Sequence, residues 1–119
     1  WYEPSTNGSG LTFVQSAQVA DLVFGTWYVY SADGGSRWYT IQNTAWRSQG
    51  SVLEGDLYET RAAGTSCPAP LESCPVPFSA LAIIGRARFT LSDEHNGRIE
   101  ALTALGSTLF ASNITRIRF

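Results

Sequence analysis

From Asp21 to Tyr30 the chain reads Asp-Leu-Val-Phe-Gly-Thr-Trp-Tyr-Val-Tyr, a run dominated by aromatic and β-branched residues. Such residues fit a pleated, half-buried surface and lose rotamer freedom on a helix, so this segment is a strand before any neighbour is considered. A strand of this kind cannot stand alone and needs partners on both edges. The rest of the chain supplies them. Gly10 to Gln15, Arg37 to Gln42, Ser51 to Arg61, Ile83 to Ser92, Arg98 to Thr103 and Ser107 to Ile117 each show alternation or β-rich composition, and no segment carries a sustained helical stripe. Asp33-Gly34, Asn96-Gly97 and Leu105-Gly106 provide turns between them. The pattern predicts an all-β fold: an antiparallel meander of about seven or eight strands, forming a small barrel or a sandwich. At 119 residues the chain is one β domain. Pro68, Pro70, Pro75 and Pro77 interrupt it, because Pro cannot donate to a sheet ladder, and they predict a long loop at about 64–78.

That loop holds the chain's two cysteines, in Cys67-Pro-Ala-Pro-Leu-Glu-Ser-Cys74. A disulfide between them would restrict the unfolded chain by about 2–3 kcal/mol. The spacing is not Cys-x-x-Cys, and one His with two Cys is too small a set for a structural zinc. A disulfide between Cys67 and Cys74 predicts a secreted, periplasmic or cell-surface location. The chain has no Met, so Trp1 reads as the first residue of a mature chain or of an excised fragment.

The first hairpin allows a register to be predicted. With Asp33-Gly34 as a two-residue turn, Tyr30 faces Arg37, Tyr28 faces Tyr39, Val29 faces Trp38 and Trp27 faces Thr40. Tyr28, Tyr30, Arg37 and Tyr39 would then form an aromatic platform on the wet side. Trp27 and Trp38 would share the inner side and line a pocket if the fold is hollow. Trp1, Tyr2, Tyr28, Tyr30, Tyr39, Trp46 and Tyr58 are too many rings to be interior in so small a domain, which leaves some for recognition.

Charge is sparse and uneven. Residues 1–84 carry three Arg against seven acids, and residues 85–119 carry five Arg against three. Arg86, Arg88, Arg98, Arg116 and Arg118 form a candidate basic face that could steer a partner. All eight basic residues are Arg and the net charge is −2, which disfavours a nucleic-acid role. No apolar run approaches the roughly 20 residues of a membrane-spanning helix.

The search for catalytic chemistry returns little. His95, the single histidine, lies in Asp93-Glu-His-Asn-Gly97, a turn without a nucleophile or an orienting group in sequence. Glu54 and Asp56 share a strand face, as exposed acids commonly do. No phosphate loop and no nucleophile elbow occurs. The expectation is a non-enzymatic chain without cofactor or metal. Asn7-Gly-Ser9 and Asn113-Ile-Thr115 match the glycosylation acceptor pattern.

Several motifs, in order, resemble a group of bacterial secreted or surface proteins. Trp1-Tyr-Glu-Pro4 with Asn7-Gly-Ser-Gly-Leu11 is similar to its opening W-x-x-P-x-x-S-G-x-G, with Asn7 where the group usually has Ser. Phe24 to Tyr39 resembles its aromatic D-x-x-G hairpin, and Gly55-Asp-Leu-Tyr58, Gly85 to Asp93 with Asn96-Gly97, and Ile114-Thr-Arg-Ile-Arg-Phe119 complete the likeness. The resemblance implies location and fold; the group has no established activity. A shorter likeness, Gly25-Thr-Trp27, matches the G-x-W of lipocalin-like and avidin-like barrels.

Three functions follow as expectations. The first is an extracellular binding or assembly module whose partner is a protein, including other copies of itself in a filament or surface structure. The second is a barrel that holds a glycan or small ligand. The third is a protease or lysozyme inhibitor that inserts the Cys67–Cys74 loop.

Overall fold

The computed structural model describes residues 1–19, 22–30, 33–60 and 82–118. The Pro-rich loop, Cys67 and Cys74 lie outside these residues, and with them the predicted disulfide. Seven strands follow one another: β1 (Gly10–Gln15), β2 (Val23–Tyr30), β3 (Ser36–Arg47), β4 (Val52–Thr60), β5 (Ala82–Leu91), β6 (Asn96–Leu102) and β7 (Thr108–Thr115). They form one antiparallel sheet in the order β1-β2-β3-β4-β5-β6-β7, the meander that the alternation predicts.

The sheet is curled rather than folded into two layers. Phe110 on β7 lies 4.9 Å from Trp27 on β2 and 5.5 Å from Tyr39 on β3, ring centre to ring centre. Phe89 on β5 meets Phe13 on β1 at 5.0 Å and Trp1 at 5.1 Å. Contacts between strands so distant in the sheet order require a concave face closed around one core. Leu11, Ile41, Leu53, Leu57, Ile99 and Ile114 fill it between the rings. Extra residues help to produce the curl. β3 carries one more residue than β4 between Gln42 and Ala45, β5 one more than β4 beside Leu57, and β7 one more than β6 beside Leu102. Each such bulge bends its strand and increases the local twist.

An odd number of antiparallel strands leaves β1 and β7 running parallel, so the two cannot complete an antiparallel barrel directly. The Trp1–Tyr2 segment resolves the mismatch. It runs antiparallel to both, with Tyr2 opposite Gly10 on one side and Thr115 on the other. Tyr2 N–H donates to the Thr115 carbonyl at 2.9 Å, and Thr115 N–H donates to that of Tyr2 at 2.8 Å. Leu11 N–H reaches the Trp1 carbonyl at 2.9 Å, and the Trp1 nitrogen donates to the Leu11 carbonyl at 3.0 Å. A two-residue fragment thus acts as part of an eighth strand.

Two local predictions need correction. β3 runs five residues beyond Gln42, because Asn43-Thr44 forms the bulge instead of ending the strand. The Thr44 hydroxyl donates to the Val23 carbonyl at 2.6 Å and accepts the Val23 N–H at 3.1 Å, so the bulge anchors the start of β2. Asn96-Gly97 is not the tip of its hairpin but the start of β6. The tip is set by Asp93, whose carboxylate accepts N–H bonds from His95 at 2.7 Å and Asn96 at 2.8 Å. Gly97 sits in the ladder for a packing reason: a Cβ there would lie 2.7 Å from the Phe89 ring and 2.9 Å from the Thr90 carbonyl.

Candidate functional site

The β2–β3 hairpin carries most of the residues predicted to recognise a partner, and its register differs from the prediction by one. Trp27 pairs with Tyr39, Tyr28 with Trp38, Val29 with Arg37 and Tyr30 with Ser36. The connection is therefore five residues, 31–35, instead of Asp33-Gly34 alone. A shift of one residue sends every β3 side chain to the opposite face, because the side-chain period of a strand is two. Tyr39 and Arg37 leave the predicted platform for the inner face, and Trp38 leaves the predicted pocket for the outer one. Trp27 and Trp38 consequently lie on opposite sides of the sheet and line no common pocket. Trp27 is 1% exposed and fills the core, whereas Trp38 is 53% exposed.

The outer face of β1–β3 is built from Gly10, Thr12 and Val14, from Phe24, Thr26, Tyr28 and Tyr30, and from Ser36, Trp38, Thr40 and Gln42. None of these is charged. Val14, Phe24, Tyr30 and Trp38 are exposed. Tyr28 and Trp38 meet at 4.9 Å with their planes at 77°, so one ring presents its edge to the other. Thr12, Thr26, Thr40 and Tyr58 follow one another across four strands, and the exposed Ile83 ends the row. The surface is hydroxyl-rich and apolar, with its largest rings at the end of the β2–β3 hairpin.

The candidate basic residues have a different setting. Arg86 and Arg88 on β5 and Arg98 on β6 share the outer face of the later strands, but carboxylates stand between them. Arg88 Nε lies 2.9 Å and Arg86 Nη2 3.9 Å from the Glu54 carboxylate, and Arg98 Nε lies 3.5 Å from Glu100. These residues form a ladder of alternating sign and not a basic face. Arg116 and Arg118 lie beyond β7, and Arg116 borders a small cleft with Trp1, Phe13 and Ile117. Of the acids examined for catalysis, Glu54 is held by the two arginines and Asp56 accepts a bond from Asn43 Nδ2 at 2.9 Å. His95 lies at the β5–β6 turn, its Nε2 2.8 Å from Glu94 Oε1. Among the described residues no group of three or more His, Cys, Asp or Glu could hold a metal ion, and no helix is long and apolar enough to cross a membrane.

One polar assembly was not anticipated. On the inner side, at the end of the curl near the 3–9 loop, Arg37 Nη1 donates to Glu59 Oε1 at 2.7 Å, with the Glu59 side chain 12% exposed. The bonded carboxylate raises the guanidinium pKa further, so the pair remains charged. Next to it opens a cleft of about 390 Å³ bordered by Glu3, Ser9, Arg37, Tyr39, Phe110 and Ser112. The sequence signal for it was the alternation Trp27-x-Val29 with Arg37-x-Tyr39-x-Ile41, which becomes one inner face once the turn is lengthened to five residues.

Comparison with protein-family models, with curated proteins and with solved structures gives no match for this chain.

Proposed function

We propose that the chain is a non-enzymatic binding and assembly module that works outside the cytoplasm. Its partner is a protein, in the first instance another copy of itself, docked on the outer face of β1–β3. The observation that carries this reading is an uncharged three-strand face on which Trp38 and Tyr30 are each more than half exposed. Interface centres are depleted in charge and enriched in Trp and Tyr, and an uncharged sheet face of this kind can pack against another sheet. Exposed apolar surface of this extent marks an interaction site more often than a neutral one. The edge-on meeting of Tyr28 and Trp38 favours a protein over a flat polysaccharide, which stacks best on coplanar rings. The Arg–Glu ladder beside the face supplies the polar rim that sets orientation. Location rests on the proposed Cys67–Cys74 disulfide, and a filament or surface-layer subunit is the concrete form of the assembly.

Sedimentation velocity over a rising concentration series tests the reading. The wild-type chain should self-associate, and Trp38→Ala should weaken the association about 30-fold, as loss of a central aromatic anchor does. A wild-type chain that stays monomeric throughout, indistinguishable from Trp38→Ala, would refute docking between copies.

A further inference from the structure

We infer that the edge of β7 at Ala111 and Asn113 is a second self-contact, which pairs antiparallel with the same edge of another copy. The inference rests on the proposed self-association. Docking of the β1–β3 face against its own kind joins two copies and stops there, so a filament or layer needs a further contact on each copy.

The ladder shows which main-chain groups are open. Thr115 exchanges both of its main-chain hydrogen bonds with Tyr2, whereas the Arg116 N–H turns the other way, to the His95 carbonyl at 2.7 Å. Along an antiparallel strand these groups alternate between the two sides. Ile114 and Ser112, opposite Gly97 and Ile99, therefore bond to β6, and Asn113 and Ala111 present their N–H and C=O away from the sheet. Among the described residues no main-chain group takes them up. Tyr2 covers the edge at Thr115 alone, because the next residue turns aside: the Glu3 N–H bonds to the Ser9 carbonyl. Asn113 is exposed, and Ala111 borders an open cleft.

Composition identifies the occupant. Edge strands of proteins that stay apart are blunted by Lys, by Pro or by a covering element. Residues 101–115 hold no charged residue and no Pro. Two copies of this edge therefore meet without like-charge repulsion, and Ala111 and Asn113 are small enough for the backbones to reach ladder spacing. Identical edges are also self-complementary. Related by a two-fold axis, each outward N–H of one copy meets an outward C=O of the other. The free stretch is short, lying between the Tyr2 bridge and the bulge beside Leu102. Its few hydrogen bonds make a reversible contact, which acts by linking pairs that the outer face has already formed.

Sedimentation velocity and amide hydrogen exchange of the full chain over a concentration series test the inference. Ala111→Pro removes one open N–H and no bond of the β6–β7 ladder. Ala111→Lys places a charge at the join, and it serves should the Pro variant fail to fold. The wild-type chain should grow past the dimer, and its Ala111 and Asn113 amides should exchange about tenfold more slowly once assembled. Both Ala111 variants should stop at the dimer. Ala111 variants that assemble like the wild type would overturn edge pairing and leave the face contact standing. So would a wild-type dimer that grows no further and keeps both amides in fast exchange. Monomers in the Ala111 variants and in Trp38→Ala alike would make edge and face a single contact, and would also overturn the inference. Assembly lost in the Ala111 variants but unchanged in Trp38→Ala would instead refute docking on the outer face and uphold the edge.

Discussion

Replacing Tyr39 and Trp38 singly with Ala distinguishes the two hairpin registers, because the residues are adjacent and the registers assign them to opposite faces. In the structure Tyr39 is 6% exposed and touches the Trp27 and Phe110 rings. An aromatic side chain buries about 150–250 Å² and each Å² is worth roughly 25 cal/mol, so its removal costs about 3–5 kcal/mol, in line with other large aromatic truncations. Trp38 is 53% exposed and leans on Tyr28. Only about 100 Å² is lost there, an upper bound of roughly 2.5 kcal/mol that residual burial in the unfolded chain reduces to about 1–2. Urea unfolding followed by far-ultraviolet circular dichroism reads the difference. With a slope of about 1–3 kcal/mol per molar urea, the Tyr39→Ala midpoint should fall about 1–2 M below that of Trp38→Ala. Should Tyr39→Ala fail to fold, Tyr39→Leu keeps the comparison with a smaller loss. A Trp38→Ala cost equal to or greater than that of Tyr39→Ala would mean that Trp38 faces inward. The outer aromatic face and the inner cleft would then both be wrongly composed.

Gly85 sits at the β5 bulge with φ +151°, and a Cβ there would stand 1.9 Å from the Leu102 carbonyl oxygen. Gly85→Ala must therefore part β5 from β6 or abandon the bulge, at a cost of about 3 kcal/mol or more, and calorimetry should show a melting temperature about 10 °C lower; an unchanged melting temperature would contradict the strand spacing. Asp93 has its pKa lowered, first by the Asn96 side-chain hydrogen bond and then by the His95 N–H. A carboxyl whose folded pKa is depressed contributes stability above its unfolded value and loses it as pH falls through the folded one. The stability gap between wild type and Asp93→Asn should therefore be constant near neutral pH and narrow on acidification through and below the ordinary carboxylate range; a gap that widens there would reverse the assignment.

Most of the fold could be read from residue types because the strands announce themselves one at a time. Gly10 to Gln15 matches β1 end to end, and the other six strands are displaced by a few residues at their ends. Those displacements trace to Asn, Asp and Gly, which serve turns and bulges alike: Asn43 has φ +50° inside β3, and Asn96-Gly97 opens a strand. The site was harder to read because register is a cooperative property. Asp33-Gly34 is a good turn in itself, but a two-residue turn would place Trp38 inside and leave Tyr39 and Ile41 in water. A five-residue connection buries Tyr39 and Ile41 instead, at 6% and 2% exposure, and packing of the whole concave face decides between them. The basic face dissolved for a similar reason: the Arg spacing on β5 and β6 is legible, but the acids that interleave come from β4 and β6 through pairings that sequence order does not display.

The Trp1–Tyr2 fragment gives this fold a particular history during synthesis. Every strand-to-strand ladder joins neighbours in the chain, so each can form as soon as its second strand emerges. The closure through Tyr2 and Thr115 is different, because it joins the segment before β1 to the end of β7, with the whole sheet lying between them in the chain. Loop-closing contacts of this range slow the final step and leave the partner edges of β1 and β7 open until then. Until β7 has formed, such a chain is an open sheet with two unsatisfied borders, in which a neighbouring copy competes with its own Trp1–Tyr2 segment for the same hydrogen bonds.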